Sequence, residues 1–359
     1  FGGVNYFIDE GNANLQSAYD ERSMFALFSG FFLPEPIPLT VNGAPNVAVE
    51  VNPLTGLPLK PEHQEQSLYG SRNYAYDVFA DLSYQINDRW DINIGGRFTQ
   101  EYLESYLENP FPSENGTLGF VLTGTPTAPQ PNALFALTRS ADGEIGGRYI
   151  DDRDFNAFVF RATSHYKLDE QFSFFGSIST GRRPYVLDLD AGRDANGAPL
   201  TTTNVLNDED VTNYEVGVKS LLFDNRLMFN VSGFIYKFTN FQTSVNDLSE
   251  GELFETQDSG SATGRGLELD TRWLIHPKFE LFGNYALLNS TFDDEDSDGN
   301  RQELAGNRFR LTPRGSGAIG FDFNTPLSSN PNGVQFQLTP SYTFKTHHFF
   351  EDQNTLGLE

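Results

Sequence analysis

The 359-residue chain contains no cysteine, two methionines and two tryptophans. Without cysteine there are no disulfides, no thiol nucleophile and no thiolate-bound metal. Long apolar runs are missing as well. The greasiest segment, Met24–Leu33 ("MFALFSGFFL"), is closed by Pro34 and reaches roughly half of the ~18 residues that a spanning helix needs. It reads either as a ligand-facing apolar patch or as a short amphipathic helix. Mean hydropathy is -0.42, too polar for a helical membrane protein. Basic residues are scarce: 24 Lys and Arg stand against 49 Asp and Glu, for a net charge of -25. That balance disfavours nucleic acid, whose binding rests on phosphate neutralisation. Catalytic signatures are absent: there is no Gly-x-Ser-x-Gly, no His-Glu-x-x-His and no phosphate loop, so no enzyme is expected. The opening "FGGVNYFIDE" has neither a start Met nor a signal segment, and reads as a fragment or a processed chain.

What is abundant is aromatic: 33 Phe and 15 Tyr, which argue against disorder. They fall in segments that alternate apolar and polar residues with period two, the spacing of a strand with two unlike faces. In "NYEVGVKSLLFDNRLMFNVSGFIYKFTNF", Tyr214, Val216, Val218 and Leu222 share one face, with Glu215, Gly217 and Lys219 on the other. After a tight turn at Asp224-Asn225, Leu227, Phe229, Val231 and Ile235 oppose Arg226, Asn230 and Ser232. The pattern recurs around turns at Asp88, Glu170 and Pro277, and again from Val334 to Phe344. About eleven strands result, many long enough to cross a membrane at a strong tilt.

The connections are one-sided. Turns of a few residues occur at one end, where only Asn324–Gly333 is longer. The other end carries Gly/Pro/Asp-rich loops over residues 10–72, 103–153, 181–210, 244–260 and 291–312. Short periplasmic turns and long extracellular loops are the mark of an outer-membrane barrel. A soluble sandwich also alternates, but its strands run ~5–6 residues with frequent turns. The polar face carries Glu268, Asp270 and Arg272 on one strand. Against lipid at midplane a basic side chain costs ~2–4 kcal/mol, and buried dry it needs a partner. A wet or plug-filled lumen removes both difficulties. Trp90, Phe172, Trp273 and Phe279 flank the short turns at a common height, as an aromatic girdle at the periplasmic interface does.

Four segments, in order, resemble the barrel hairpins of TonB-dependent outer-membrane receptors. They are "YAYDVFADLSYQINDRWDINIGGRFTQE", the 213–243 stretch, "GSATGRGLELDTRWLIHPKFELFGNYALLNSTF" with its Gly266-Leu267-Glu268-Leu269 run, and "AGNRFRLTPRGSGAIGFDF". The resemblance implies an all-β fold: an antiparallel transmembrane β-barrel of about 22 strands filled by an N-terminal plug. Residues 1–359 match a partial barrel domain, roughly its middle and later half, without the plug and the last strands. The implied activity is TonB-dependent uptake of a scarce solute across the Gram-negative outer membrane. The ligand would be a ferric siderophore or other iron chelate, a vitamin, a glycan or similar. Energy would arrive from the TonB complex through the plug, and the barrel would sit in lipid and lipopolysaccharide. A passive porin and a soluble carbohydrate-binding β protein are the alternatives.

Three sets of residues invite a ligand. Arg182, Arg183 and Tyr185 in "STGRRPYVLDLDAG" should stand at the extracellular rim, where Arg pairs with oxygen anions and Tyr stacks. Loop anchoring or lipopolysaccharide phosphate binding is the favoured reading of the same residues. Asp294, Asp296 and Asp298, followed by Gly299, resemble the start of a calcium loop, but the twelfth position is Ala305 rather than Glu. A solvated acidic loop is therefore preferred over calcium. His347 and His348 are the only adjacent histidines and read as solvated.

The alternation can be tested within one strand. Ile92→Lys in the full-length protein should impair assembly, scored by heat-modifiable gel mobility, while Asn93→Lys is tolerated. Equal tolerance at both positions would contradict the lipid-facing assignment.

Overall fold

The computed structural model describes residues 1–359 except 33, 34, 36, 39, 46, 47, 53–55, 115, 118–133, 248–251, 328–332, 356 and 359. One antiparallel sheet of 12 strands forms the wall. In chain order the strands are β1 (Gly2–Tyr19), β2 (His63–Asn87), β3 (Trp90–Glu108), β4 (Tyr149–Lys167), β5 (Phe172–Arg183) and β6 (Glu209–Leu222). Then come β7 (Leu227–Thr239), β8 (Ala262–His276), β9 (Phe279–Phe292), β10 (Gly315–Pro326), β11 (Gln335–Leu338) and β12 (Ser341–Lys345). Every strand pairs with its sequence neighbour, except that β11 and β12 both pair with β10. Those two keep one register, Phe323 opposite Leu338 and Gly320 opposite Ser341. They are a single strand interrupted at Pro340, which has no N–H to donate. The wall thus has the strand count the alternation predicts.

The turns lie where expected. Phe223, Asp224 and Asn225 are all left-handed (φ 54°, 55° and 66°), which brings β6 back into β7. Asn and Asp tolerate this region best, and it suits their use there.

The first three long loops are shorter than the alternation suggests, because the ladders run on past it. β1 and β2 stay paired to Tyr19 opposite His63, so the first loop is 20–62 rather than 10–72. The second is 109–148 rather than 103–153. The third is 184–208 and the last 293–314. The fourth widens to 240–261. Above the membrane both faces of a strand meet water, so period-two patterning is no longer required and only the backbone ladder persists. Polar cross-strand pairs replace it there: Arg72 with Glu10 at 3.0 Å and Gln66 with Asn14 at 2.9 Å. At the tilt usual for such walls, the 25 residues of β2 rise roughly 55–60 Å, about twice the apolar band of an outer membrane.

Three of these loops carry hairpins: Thr40–Val41 with Ala44–Pro45, Val186–Arg193 with Pro199–Leu206, and Gln242–Asp247 with Glu252–Asp258. The Met24–Leu33 segment is mostly helical: α1 spans Glu21–Phe32, while Leu33 lies outside the described residues. Asp20 caps the helix, its carboxylate accepting the Arg22 N–H at 2.9 Å. Phe25 and Ala26 are buried, Phe25 packing with Leu59.

Among the described residues there is no large core. Buried apolar side chains form small clusters under the loops, notably Ala262, Phe292 and Leu304 with Phe238, Phe241 and Phe309 around them. The apolar strand face is bare: Val216 is 67% exposed, Leu82 66% and Tyr342 67%. A soluble sandwich would cover this face with a second sheet; lipid is the solvent that suits it.

The inner face is built by rings lying on glycines of the next strand. Phe175 lies on Gly217, Phe234 on Gly266 and Tyr236 on Gly264. A Cβ at Gly264 would stand 2.0 Å from the Tyr236 ring, and one at Gly217 2.4 Å from Phe175. The ring occupies the volume a side chain would need, and overpacking of this kind costs ~1–3 kcal/mol or more. Gly264→Val should therefore reduce the folded, heat-modifiable fraction of the full-length protein. Tyr236→Ala in the same background should partly restore it.

Candidate functional site

β5 ends at Arg183, and Pro184 turns the chain into the 186–206 hairpin. The three rim residues expected to face a ligand are gathered here, and each is engaged with the protein. Arg182 Nη2 lies 2.6 Å from Glu101 Oε2 of β3, with both side chains about nine-tenths buried (9% and 10% exposed). Its Nη1 is 3.9 Å from Asp208 Oδ2, too far for a hydrogen bond but close enough for attraction. Arg183 Nη1 donates to the Gln242 carbonyl at 3.0 Å. Tyr185 stacks on Phe155 at 3.9 Å and 7°. Burial pushes the Tyr185 hydroxyl above its ordinary pKa, with the Asp208 carboxylate adding to the shift.

Gln242 ties these parts together. Its Nε2 donates to the carbonyls of Pro184 (3.2 Å) and Asn207 (2.8 Å), and its N–H donates to Glu209 Oε2 (2.9 Å). The feet of the 184–208 loop are thereby fixed to the start of the next hairpin. Glu101, Asp208 and Gln242 carry no motif. Each is a single polar residue at the mouth of a loop, and only the fold brings them to Arg182 and Arg183.

Asp294, Asp296 and Asp298 lie on the last long loop and do not converge. Asp296 Oδ1 accepts the N–H groups of Asp298 (2.9 Å) and Asn300 (2.8 Å), and Oδ2 accepts Asn300 Nδ2 (3.1 Å). These amides hold the Asp296 carboxyl below its usual pKa. Among the described residues no three His, Asp or Glu side chains are arranged to hold a metal. His347 and His348 do not act together either; each meets a ring edge-on, that of Phe349 and Phe350 respectively.

A second buried polar group stands above β1 and β2. His63 Nε2 is 3.2 Å from Glu65 Oε1, and both side chains are almost wholly buried. Glu65 also accepts from the Tyr19 hydroxyl and from the N–H groups of Leu134 and Phe135. Glu21 accepts the N–H groups of Lys60 and Thr117, each at 2.7 Å. Glu65 thus pins the second long loop to the wall, and Glu21 ties the first long loop to the second.

Trp90, Phe172, Trp273 and Phe279, expected as an interface girdle, lie beside the short turns at one end of the wall. Trp90 donates Nε1–H to Ser164 Oγ at 2.8 Å, Trp273 lies opposite Leu227, Phe172 opposite Ser220 and Phe279 opposite Phe323.

A wall apolar outside and polar inside, with tight turns below and folded loops above, defines an outer-membrane β-barrel. The model of the TonB dependent receptor-like β-barrel family matches residues 40–355, and the chain belongs to that family. It is a barrel of the Gram-negative outer membrane, in a family of transport receptors rather than enzymes. Two solved structures share the fold. One is the ferric yersiniabactin uptake receptor FyuA of Yersinia pestis, with a TM-score of 0.55, 14% identity, and coverage of 82% of this chain and 40% of that one. The other is the siderophore receptor PiuA of Acinetobacter baumannii, with a TM-score of 0.52, 14% identity, and coverage of 99% and 44%. The chain therefore spans less than half the length of either.

The Arg182–Glu101 pair governs the rim. Breaking a buried pair by removing one partner costs ~3–5 kcal/mol, because the other charge is stranded. Arg182→Ala should open the 184–208 loop to protease on intact cells while leaving barrel assembly unchanged. Arg182→Met with Glu101→Met should restore much of the protection.

Proposed function

We propose that this chain is the wall and part of the ligand-gathering rim of a receptor for energised uptake of an iron chelate. The observation that carries the reading is the family match over residues 40–355 on a wall whose extracellular loops are folded and pinned. A passive pore needs an open mouth. Here loop hairpins, buried carboxylates and an aromatic cluster order the outer end instead, as capture of a specific solute requires. Of the two solved structures described above, one is named a ferric yersiniabactin uptake receptor and the other a siderophore receptor, which supports a ferric chelate as the solute class. Energy would come from the TonB complex through a plug.

Arg182, Arg183 and Tyr185 serve capture in this reading by holding the 184–208 loop in its binding position. Arg183→Ala with Tyr185→Ala should lower whole-cell binding of the cognate chelate about tenfold at matched surface abundance. The decisive comparison uses the full-length receptor with labelled ferric chelates, in cells with and without TonB. Binding should persist and accumulation should cease when TonB is removed. Accumulation that continues unchanged without TonB would identify a passive pore.

A further inference from the structure

Part-way up the wall β4 loses one neighbour. Its ladder with β5 ends at Arg161 opposite Ser179, although β4 stays paired with β3 as far as Tyr149 opposite Leu107. The cause lies on the luminal face, where Glu101 and Phe155 are opposite each other. Arg182 reaches across to Glu101 and Tyr185 stacks on Phe155, so the top of β5 is drawn off the edge of β4. These contacts close the resulting slit on the inside. At its foot the Phe160 N–H donates to Thr180 Oγ1 at 2.9 Å.

Above that bond the edge of β4 is bare. Amide directions alternate along a strand, so Phe158, Asn156, Asp154, Asp152 and Ile150 aim their N–H and C=O groups the way Phe160 does. Among the described residues no strand, bridge or loop backbone meets them on that side. Of these groups only the Asp152 carbonyl has a side-chain partner, Arg153 Nη1 at 2.8 Å. Outward side chains of β4 are apolar at Phe160 and Phe158, then polar and exposed at Asn156, Asp154 and Asp152. The bare edge therefore rises from the membrane boundary into water. Tyr149–Asn156 is eight residues (156 − 149 + 1), enough for an ordinary strand pair.

The outward side of this edge is acidic. Asp152 lies opposite Glu104, and Asp154 opposite Tyr102. None of the three carboxylates forms an ion pair among the described residues. Arg72, opposite Glu104 on β2, is held by Glu10 on its other side, and Arg148 and Arg153 are held by Glu108 and Asp151.

We propose that the upper edge of β4 accepts an extended, basic peptide segment of an extracellular protein partner as an added strand. An unpaired strand edge is a template for another chain: main-chain hydrogen bonds supply affinity and alternate side chains supply specificity. A guest Lys or Arg placed across from Asp152 or Asp154 meets an unpaired carboxylate, whereas a second copy of β4 would set acid against acid. The site is separate from solute capture, because the Tyr185–Phe155 stack and the Arg182–Glu101 pair stand between the edge and the lumen.

The test titrates full-length receptor in detergent with a labelled peptide that alternates Lys and Thr, read by fluorescence anisotropy. One control peptide alternates Glu and Thr. The other is the Lys-Thr peptide N-methylated along one edge, which keeps its charge and removes its N–H donors. The Lys-Thr peptide should bind, and each control should bind at least about tenfold more weakly. Asp152→Lys with Asp154→Lys should reverse the preference between the Lys and Glu peptides. Asp154→Pro removes an N–H aimed at the slit rather than at β3, so it should weaken binding about tenfold while heat-modifiable mobility stays unchanged. Amide exchange supplies a second readout. In the free receptor Asp152 and Asp154 should exchange faster than Asp151 and Arg153, whose amides point to β3, and the peptide should slow them. Equal binding of the N-methylated peptide would reduce the site to charge attraction and overturn the proposal. So would slow exchange at Asp152 and Asp154 in the free receptor, which would mean that another segment of the receptor already covers the edge.

Discussion

A backbone amide in hydrocarbon has no water to bond with, and each unpaired one costs several kcal/mol. That constraint organises this protein. It demands an unbroken ladder, and the wall supplies one from β1 to the strand interrupted at Pro340. Once every amide is paired sideways, side chains must alternate between two solvents. Val216 and Leu267 face lipid, while Glu215 and Glu268 face the lumen, because a strand offers no third direction.

The ladder does not stop at the membrane boundary. β1, β2 and β3 continue well above it, and the long loops start from a raised rim rather than from the lipid surface. This height permits the loops to be held by side chains of the wall itself. Glu65, Glu101 and Asp77 all lie on extended strands and are buried at 3%, 7% and 9% exposure. A carboxylate so placed must be paired, and its partners come from the loops or from other strands of the wall. Rim order thus follows from strand length.

Glycine plays a matching part inside the wall. Aromatic side chains bury most when they lie flat, and Phe175, Phe234 and Tyr236 do so only because the facing residue is Gly217, Gly266 or Gly264. The inner face keeps its curvature and its large rings together by this exchange of volume. On the outer face Gly176 and Gly233 have no such ring upon them, and the surface is left hollow.

The one-dimensional pattern by itself determined the strand number, the lipid and lumen faces and the turn positions. Those features obey a period of two or a local turn preference, and both are written in consecutive residues. The family was legible for the same reason, through hairpin segments that keep their order. The strand ends were not legible, because above the membrane Glu10 to Tyr19 is held by the backbone ladder and polar cross-strand pairs and shows no alternation. Nor were the partners of Arg182 and Tyr185. Loop anchoring was among the favoured readings of their types, but only folding brought Glu101, Asp208 and Phe155 against them from strands and loops 23 to 81 residues away (208 − 185; 182 − 101).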